Sequence, residues 1–190
     1  MSKWCPVIQK KVLYLDCLEC EDRTQCGKIP ESALEEKNAA ERQEYKAAPF
    51  AHETYRVIIA GSRKMKTDAQ GYNKIRDAMI ELVRKGYIPY QKIKDVEIIS
   101  GGCPSGTDVL GEMFARRNNI TVTRFPAEWK KYGKYAGPKR NKDMAEYASK
   151  SNGFLLAFWD GKSKGTRSMV QEAQNCGLKV FTYELGQDDF

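Results

Sequence analysis

Five apolar runs rich in β-branched residues alternate with helix-like segments in the C-terminal part of the chain, and this alternation limits the possible folds most strongly. The runs are RVIIAG, VEIIS, ITVTRF, GFLLAFW and KVFTYE. Apolar residues at helical spacing separate them, as in TDAQGYNKIRDAMIELVRKGY. Strands that alternate with helices predict a parallel sheet joined by right-handed crossovers. We therefore expect a three-layer, Rossmann-like α/β fold with a mainly parallel five-stranded sheet, in which the most apolar run, GFLLAFW, is the central strand.

A different composition precedes this alternating region. Residues 31–50 begin with ESALEEKNAAERQEYK, which is rich in strong helix formers and polar on most sides, and end at AAPF. We interpret them as a helical linker between a cysteine-rich segment, residues 1–30, and the Rossmann-like domain, residues 51–190. No apolar run is long enough to cross a membrane, and MSKWCPVIQKK lacks a signal-peptide core. We expect a cytoplasmic protein without a membrane partner.

Four of the six cysteines cluster near the N-terminus, at Cys5, Cys17, Cys20 and Cys26. Cys17 and Cys20 form a C-x-x-C pair, and two further thiolates would complete the tetrahedral shell of a structural zinc ion. The segment has few apolar residues, so the binding energy of the metal would have to hold it together. We predict a structural Zn²⁺ at these four cysteines. Their spacing differs from common zinc-finger patterns, so metal-free reduced cysteines and an iron–sulfur cluster remain alternatives.

Three glycine-rich loops, GSRK, GGCPSGTD and DGKSKGT, each follow a predicted strand and precede a predicted helix. Ligands of such folds bind beyond the carboxyl ends of the strands, where backbone N–H groups and helix N-termini suit a phosphate. Arg63, Lys162 and Lys164 add positive charge. Neither the dinucleotide fingerprint nor the P-loop pattern is present, which disfavours an NAD dehydrogenase or a P-loop ATPase. The single histidine, His52, leaves little basis for Ser-His or Cys-His nucleophiles.

A basic segment lies near the middle of the domain. Between residues 116 and 142, nine basic residues accompany one acidic residue, Glu128, in a chain of net charge +7. Its central part, EWKKYGKYAGPKRN, interleaves lysines with Trp129, Tyr132 and Tyr135, a combination that can stack on bases and neutralise phosphates. A solvated basic face, or a lid whose rings pack on the sheet edge, are the alternatives.

Four ordered segments carry a resemblance to a known family. AGSRK, SGGCPSGTD, PKRNKDMAEYA and FWDGKSKGTRSMV resemble the signature segments of the YspA-like branch of the SLOG superfamily, the Rossmann-like group that includes the Smf/DprA proteins and the Lonely Guy phosphoribohydrolases. The resemblance covers roughly Tyr55 to Tyr183. It implies binding of nucleotides, nucleotide derivatives or nucleic acid, and it implies a homodimer.

The resemblance also implies a set of ligand-binding residues. By position they are Gly61, Ser62, Arg63, Ser100, Gly101, Gly102, Gly106, Asp108, Arg140, Asn141, Gly161, Ser163, Gly165 and Thr166. Arginines bind phosphate in a bidentate manner, while an aspartate accepts hydrogen bonds from ribose hydroxyls or a base. We therefore expect a site with arginines at the phosphate and Asp108 at the sugar or base.

One position departs from the hydrolytic relatives. The Lonely Guy enzymes carry P-G-G-x-G-T-x-x-E, and Met169 stands where their glutamate would be. Methionine cannot transfer protons, so the phosphoribohydrolase hypothesis is weakened. Asp108 is the candidate acid–base group for a different chemistry, with Asp160 and Glu128 as alternatives. The leading hypothesis is a module that binds a nucleotide or nucleotide-derived small molecule, sensing, sequestering or processing it. A hydrolase of N-glycosidic or phosphate bonds, or DprA-like binding of single-stranded nucleic acid, are the alternatives.

Overall fold

The computed structural model describes residues 2–5, 10–13 and 54–190. The chain divides into two compact units, Met1–Phe50 and Ala51–Phe190. In the first unit, strands β1 (Ser2–Cys5) and β2 (Lys10–Leu13) pair in antiparallel fashion. The predicted zinc ligands Cys17, Cys20 and Cys26 lie outside the described residues, as does the side chain of Cys5. The zinc site therefore stays a prediction.

The second unit contains the alternating elements that the sequence predicts. Its strands are β3 (Tyr55–Gly61), β4 (Val96–Ser100), β5 (Thr121–Arg124), β6 (Asn152–Trp159) and β7 (Lys179–Glu184). Its helices are α1 (Ala69–Arg84), α2 (Thr107–Arg117), the one-turn α3 (Trp129–Tyr132), α4 (Ala136–Ser149) and α5 (Lys164–Asn175). Short 3₁₀ turns occupy Tyr90–Asp95, Gly133–Tyr135 and Gln187–Asp189. None of the helices in the described residues is long and apolar enough to cross a membrane.

The five strands β3 to β7 form one parallel sheet in the order β5-β4-β3-β6-β7. This confirms the Rossmann-like α/β fold. The strand in the middle is β3 rather than β6, so the expectation that GFLLAFW is central was wrong by one position. Both strands are hydrogen-bonded on two sides, and both are therefore nearly continuous apolar runs. Strands β4 and β5 lie on one side of β3, and β6 and β7 lie on the other, so the order of the strands in the chain reverses between β3 and β6.

Alternate residues of the strands pack under different helix pairs. On one face, Val57 and Ile59 belong to a core cluster with apolar residues of α1 and α2, among them Ile75 and Leu110. On the other face, Ile58 belongs to a cluster with residues of α4 and α5. The two clusters show that helices cover both faces of the sheet, which gives the expected three layers.

A buried polar network lies near the amino ends of β3 and β4. The carboxylate of Glu97 accepts hydrogen bonds from Arg56 at 3.0 Å, from Tyr147 at 2.9 Å and from the hydroxyl of Thr123. Burial raises the pKa of Glu97, but these bonds outweigh it and the net pKa is lowered. The network therefore joins three strands and α4 at the end of the sheet opposite to the glycine loops.

Candidate functional site

The three glycine loops leave the sheet at the carboxyl ends of neighbouring strands. The first loop, residues 61–63, follows β3; the second, residues 100–108, follows β4; the third, residues 160–166, follows β6. Because the chain reverses direction between β3 and β6, this edge is the switch point at which ligands of doubly wound sheets bind. The predicted site residues are thus brought to one edge of the domain.

The first and second loops pack directly against each other. The carbonyl oxygen of Ser62 accepts hydrogen bonds from the backbone N–H and the hydroxyl of Thr107, each at 3.2 Å. A Cβ at Gly106 would overlap this carbonyl and lie 2.7 Å from the Cα of Arg63. Ser62 is 4% exposed and its hydroxyl accepts from the N–H of Lys64, so it supports the loop. Arg63 is exposed and makes no hydrogen bond or ion pair within residues 54–190.

A carboxylate and a guanidinium meet beside the second loop. Oδ2 of Asp108 accepts from the N–H of Cys103 at 3.0 Å, and Nη1 of Arg140 donates to the carbonyl oxygen of Gly101 at 2.6 Å. A Cβ at Gly101 would lie 2.6 Å from Cζ of Arg140 and 2.9 Å from Oδ2 of Asp108. Only glycine admits both side chains at this point.

The charges of this group influence one another. Burial raises the pKa of Asp108, against the effects of the Cys103 N–H and of the positive charges of Arg140 and Arg63. Burial also lowers the pKa of Arg140, while Asp108 opposes that change and Arg63 adds to it. The partly desolvated side chains of Asp108 and Arg140 therefore lie close to the exposed cation of Arg63, which has no carboxylate partner within residues 54–190.

Helix α4 connects the second loop to the third. Arg140 lies against Gly101, while the neighbouring Asn141, which is 5% exposed, donates from Nδ2 to the carbonyl oxygen of Gly165 and to the hydroxyl of Ser168, each at 3.2 Å. Nε of Arg140 also donates to Oδ1 of Asn141 at 3.1 Å. Arg140 and Asn141 thus connect the second glycine loop to the third.

Much of the third loop is satisfied by its own side chains. Oδ1 of Asp160 accepts from the N–H groups of Lys162 and Ser163, at 3.0 and 2.7 Å, and these bonds hold the pKa of Asp160 below its usual value. The hydroxyl of Ser163 caps α5 by accepting from the N–H of Thr166. Among the described residues, the first-turn N–H groups of residues 164 and 165 have no partner. These two groups, with the exposed side chains of Lys162 and Lys164 around them, are the donors of the loop that stay open to solvent or a ligand.

Sequence reasoning missed a supporting carboxylate behind the second loop. Glu112 of α2 accepts from the hydroxyl of Ser100 at 2.8 Å and pairs with the guanidinium of Arg124. The Ser100 hydroxyl in turn accepts from the N–H of Gly102 at 3.0 Å. Arg124 is the main cause of the lowered pKa of Glu112. Ser100 is 1% exposed and supports the loop, and its position at the end of β4 gave no sign of this partner.

Met169, the residue at the position of the Lonely Guy glutamate, is 2% exposed. It belongs to the core cluster that α4 and α5 form with the sheet. A glutamate on this side of α5 would be buried among apolar residues unless the helix turned. The structure therefore places the side chain of Met169 in the apolar core between α4, α5 and the sheet.

The basic segment lies next to α4. Trp129 is 53% exposed and Tyr135 is 78% exposed, whereas Tyr132 is partly covered, with the ammonium groups of Lys131 and Lys139 at 4.9 and 5.4 Å from its ring centroid. The indole of Trp129 approaches Gly137, one turn of α4 before the arginine at the second loop. Two rings are thus open to solvent beside the candidate site.

No group of three or more His, Cys, Asp or Glu side chains within the described residues is placed to hold a metal ion. Cys103 and Cys176 are free thiols. The candidate site of this unit contains glycine backbone, Arg63, Arg140 and Asp108.

The fold and this edge define a Rossmann-like α/β protein with an arginine-containing loop cluster at the switch point of its sheet. A model of the YspA, cpYpsA-related SLOG family matches residues 55–132, which include the first two loops. Gene 61 protein of Mycobacterium phage D29 is 30% identical over 132 residues, covering 67% of this chain and 95% of the phage protein. The chain belongs to the YspA, cpYpsA-related SLOG family.

Two solved structures match this chain at low sequence identity. The X-ray structure of DNA processing protein A (DprA) from Streptococcus pneumoniae is 16% identical with a TM-score of 0.49, and the similarity covers 96% of this chain and 79% of that chain. An uncharacterized protein from Bacillus cereus ATCC 10987 is 8% identical with a TM-score of 0.27, over 90% and 67% of the two chains.

Proposed function

We propose that this protein binds a nucleotide or a nucleotide-derived small molecule at the carboxyl edge of the sheet. The observation that carries the proposal is the state of Arg140. Its Nη1 and Nε are held by Gly101 and Asn141, while Nη2 makes no hydrogen bond within the described residues. Burial lowers the pKa of this guanidinium, so an additional anion would offset part of its desolvation. A phosphate offers two oxygens that the planar guanidinium can bind in a bidentate manner.

Further groups support a phosphate at this edge. Arg63 is an exposed cation without a partner in residues 54–190, and its charge acts on both Asp108 and Arg140. The unpartnered N–H groups at the start of α5 lie on the other side of Asn141 and add the positive end of a helix dipole. Membership of the SLOG superfamily agrees with a role in binding nucleotides or nucleic acid.

A titration of the full chain tests the proposal. Isothermal calorimetry with the four ribonucleoside 5′-monophosphates should detect binding, and Arg140→Gln should weaken it about 10- to 100-fold, the value of a charge-assisted hydrogen bond. Arg76→Gln is the matched control, because it removes the same charge from an exposed residue of α1 that pairs with Asp77. Equal affinities of the two variants for the nucleotide would contradict the assignment.

A second function, binding of single-stranded nucleic acid, is favoured by one specific observation. Trp129 and Tyr135 expose their rings between lysines on a segment beside the site. Successive bases can stack on such rings while the ammonium groups neutralise phosphates. Affinity for an oligonucleotide should then fall steeply as salt rises, and Trp129→Ala should reduce it more than Tyr90→Ala, an exposed ring on the 3₁₀ turn before β4. No binding at low salt would remove this function.

Hydrolysis of the bound nucleotide remains an alternative that depends on Asp108. A buried carboxyl whose pKa is raised can hold a proton for a leaving group. Chromatography of the products would establish hydrolysis if it detected free base or ribose phosphate with the wild type and neither with Asp108→Ala. Unchanged nucleotides after prolonged incubation would leave binding as the function.

Two proposals concern the whole chain. We propose that the four N-terminal cysteines hold one structural Zn²⁺; metal analysis should find about one equivalent, lost in Cys17→Ser and kept in Cys176→Ser. A metal-free chain of unchanged stability would contradict this. We also propose a homodimer, which light scattering after size-exclusion chromatography measures directly.

A further inference from the structure

Asp108 is a buried carboxylate with an open hydrogen-bonding position. It is 8% exposed, and within the described residues its single hydrogen bond is the one that Oδ2 accepts from the N–H of Cys103. No buried side-chain oxygen of the described residues lacks a partner, so the other oxygen, Oδ1, keeps access to solvent. A carboxylate has about four acceptor positions, and a mostly desolvated one is stabilised by filling more of them. The open oxygen therefore invites a donor from a ligand.

The surroundings of Asp108 define what kind of donor the ligand must bring. An ionised carboxylate only accepts hydrogen bonds, and so does a phosphate, hence the two repel each other and cannot share a contact. Arg140 and Arg63 only donate, and they attract the phosphate. Asp108 and Arg140 both flank Gly101, so the acceptor lies beside the phosphate-binding donors. The ligand therefore needs a neutral group with hydrogen-bond donors close to its phosphate.

The 2′ and 3′ hydroxyls of ribose are such donors, since they belong to the sugar that carries the phosphate. Adjacent hydroxyls can fill two of the remaining acceptor positions of one carboxylate. A 2′-deoxyribonucleotide lacks one of them and would leave a buried acceptor unfilled. A site built to bond a hydroxyl discriminates strongly against the analogue that lacks it.

We propose that Asp108 selects ribonucleotides over 2′-deoxyribonucleotides by accepting hydrogen bonds from the ribose hydroxyls. This specificity rests on the proposed nucleotide-binding function and concerns the same site. It assigns Asp108 to sugar recognition, and it names the substrate class as phosphorylated ribonucleosides or molecules that contain one.

Calorimetric titration of the full chain with matched ribo- and 2′-deoxyribonucleoside 5′-monophosphates tests the proposal. We expect the tightest-binding ribonucleotide to bind about tenfold or more tightly than its deoxy form. Asp108→Asn should abolish the discrimination, because the amide can present its NH₂ group where the carboxylate presented an acceptor. Asp143→Asn, an exposed acid on α4 paired with Lys139, is the control and should keep the discrimination.

The possible results separate this proposal from the function on which it rests. If no nucleotide of either series binds, the proposed function fails and the specificity fails with it. Equal binding of both series by the wild type overturns the specificity alone, as does discrimination that persists in Asp108→Asn. Binding that requires Mg²⁺ and vanishes with EDTA also overturns it, because Asp108 would then hold a cation. A structural role would weaken both series equally in Asp108→Asn, whereas sugar recognition changes their ratio.

Discussion

Replacing Gly106 by alanine tests the packing of the first loop on the second. Gly106 has φ of 71° and ψ of −140°, a region that side chains enter only with strain. An added Cβ would also overlap the carbonyl oxygen of Ser62 and press on the backbone of Arg63. Gly102 supplies the comparison, because its φ is 68° but an added Cβ would meet nothing within 4 Å. The two substitutions share the change of residue and differ in the contact between loops.

The magnitudes follow from these differences. Gly102→Ala should lower the free energy of unfolding by about 1–2 kcal/mol, the cost of positive φ for an L-residue. Gly106→Ala should lower it by about 4 kcal/mol. About 2–3 kcal/mol comes from backbone strain, and the rest from the two hydrogen bonds that Thr107 makes to Ser62, each about 1 kcal/mol. The smaller entropy of the unfolded alanine chain affects both variants alike and cancels in the comparison.

Urea denaturation followed by far-ultraviolet circular dichroism measures both values on the full chain. The midpoint should shift more for Gly106→Ala, with the slope of the free energy against urea unchanged in both variants. The calorimetric nucleotide affinity of folded Gly102→Ala should stay nearer to that of the wild type. Equal losses of stability in the two variants would contradict the prediction, because the close packing of the first and second loops would then contribute no stability.

Three further results are expected. Burial raises the pKa of Asp108 above its usual 3.8, so the ionised carboxylate lowers the stability of the folded state as pH rises. Asp108→Asn removes this charge and should stabilise the protein at pH 7. Urea denaturation at a series of pH values should show that the gain in stability disappears below pH 3.8, where the carboxyl is protonated in both states. Glu112→Ala removes the acceptor of the Ser100 hydroxyl, so it should lower the free energy of unfolding by about 2 kcal/mol and weaken nucleotide binding in calorimetry. Glu112→Gln keeps an acceptor and should restore most of the stability and most of the affinity. Glu97→Ala leaves the guanidinium of Arg56 without its counter-ion and should lower the free energy of unfolding by about 3 kcal/mol. Nucleotide affinity should stay unchanged, because Glu97 lies at the end of the sheet opposite to the site. A loss of affinity in a folded variant would contradict this.

The strands and the long helices follow from hydrophobic periodicity, which is a local property of the chain. The order of the strands is less accessible, because β3 and β6 are both paired on two sides and have the same apolar character. The apolar character of GFLLAFW favoured β6 as the centre, and the structure places β3 there. Pairing partners are set by crossovers, and a run of apolar residues does not record them.

The outline of the site is predictable from the sequence, because it too depends on local patterns. Strand–glycine–helix patterns bring the loops to one edge, but they do not show which N–H groups are already used. In the third loop, Asp160 and Ser163 satisfy donors that the glycine pattern offers to a phosphate. Glu112 is a polar residue on a helix, and only the fold places it beneath Ser100. Contacts between distant segments depend on packing geometry, so sequence periodicity cannot supply them.

The adjacent residues Arg140 and Asn141 of α4 contact different loops, which makes the rotational setting of this helix a requirement of the site. One residue inserted inside the first turn of α4 would rotate the rest of the helix by about 100° and withdraw both side chains from their partners. An insertion between β5 and α3 would leave the helix setting intact. Relatives of this protein should therefore vary in length before α3 while keeping the spacing within α4. A chimaera that exchanges residues 126–128 and keeps Phe125, whose N–H donates to the carbonyl oxygen of Ser100, should retain its loops.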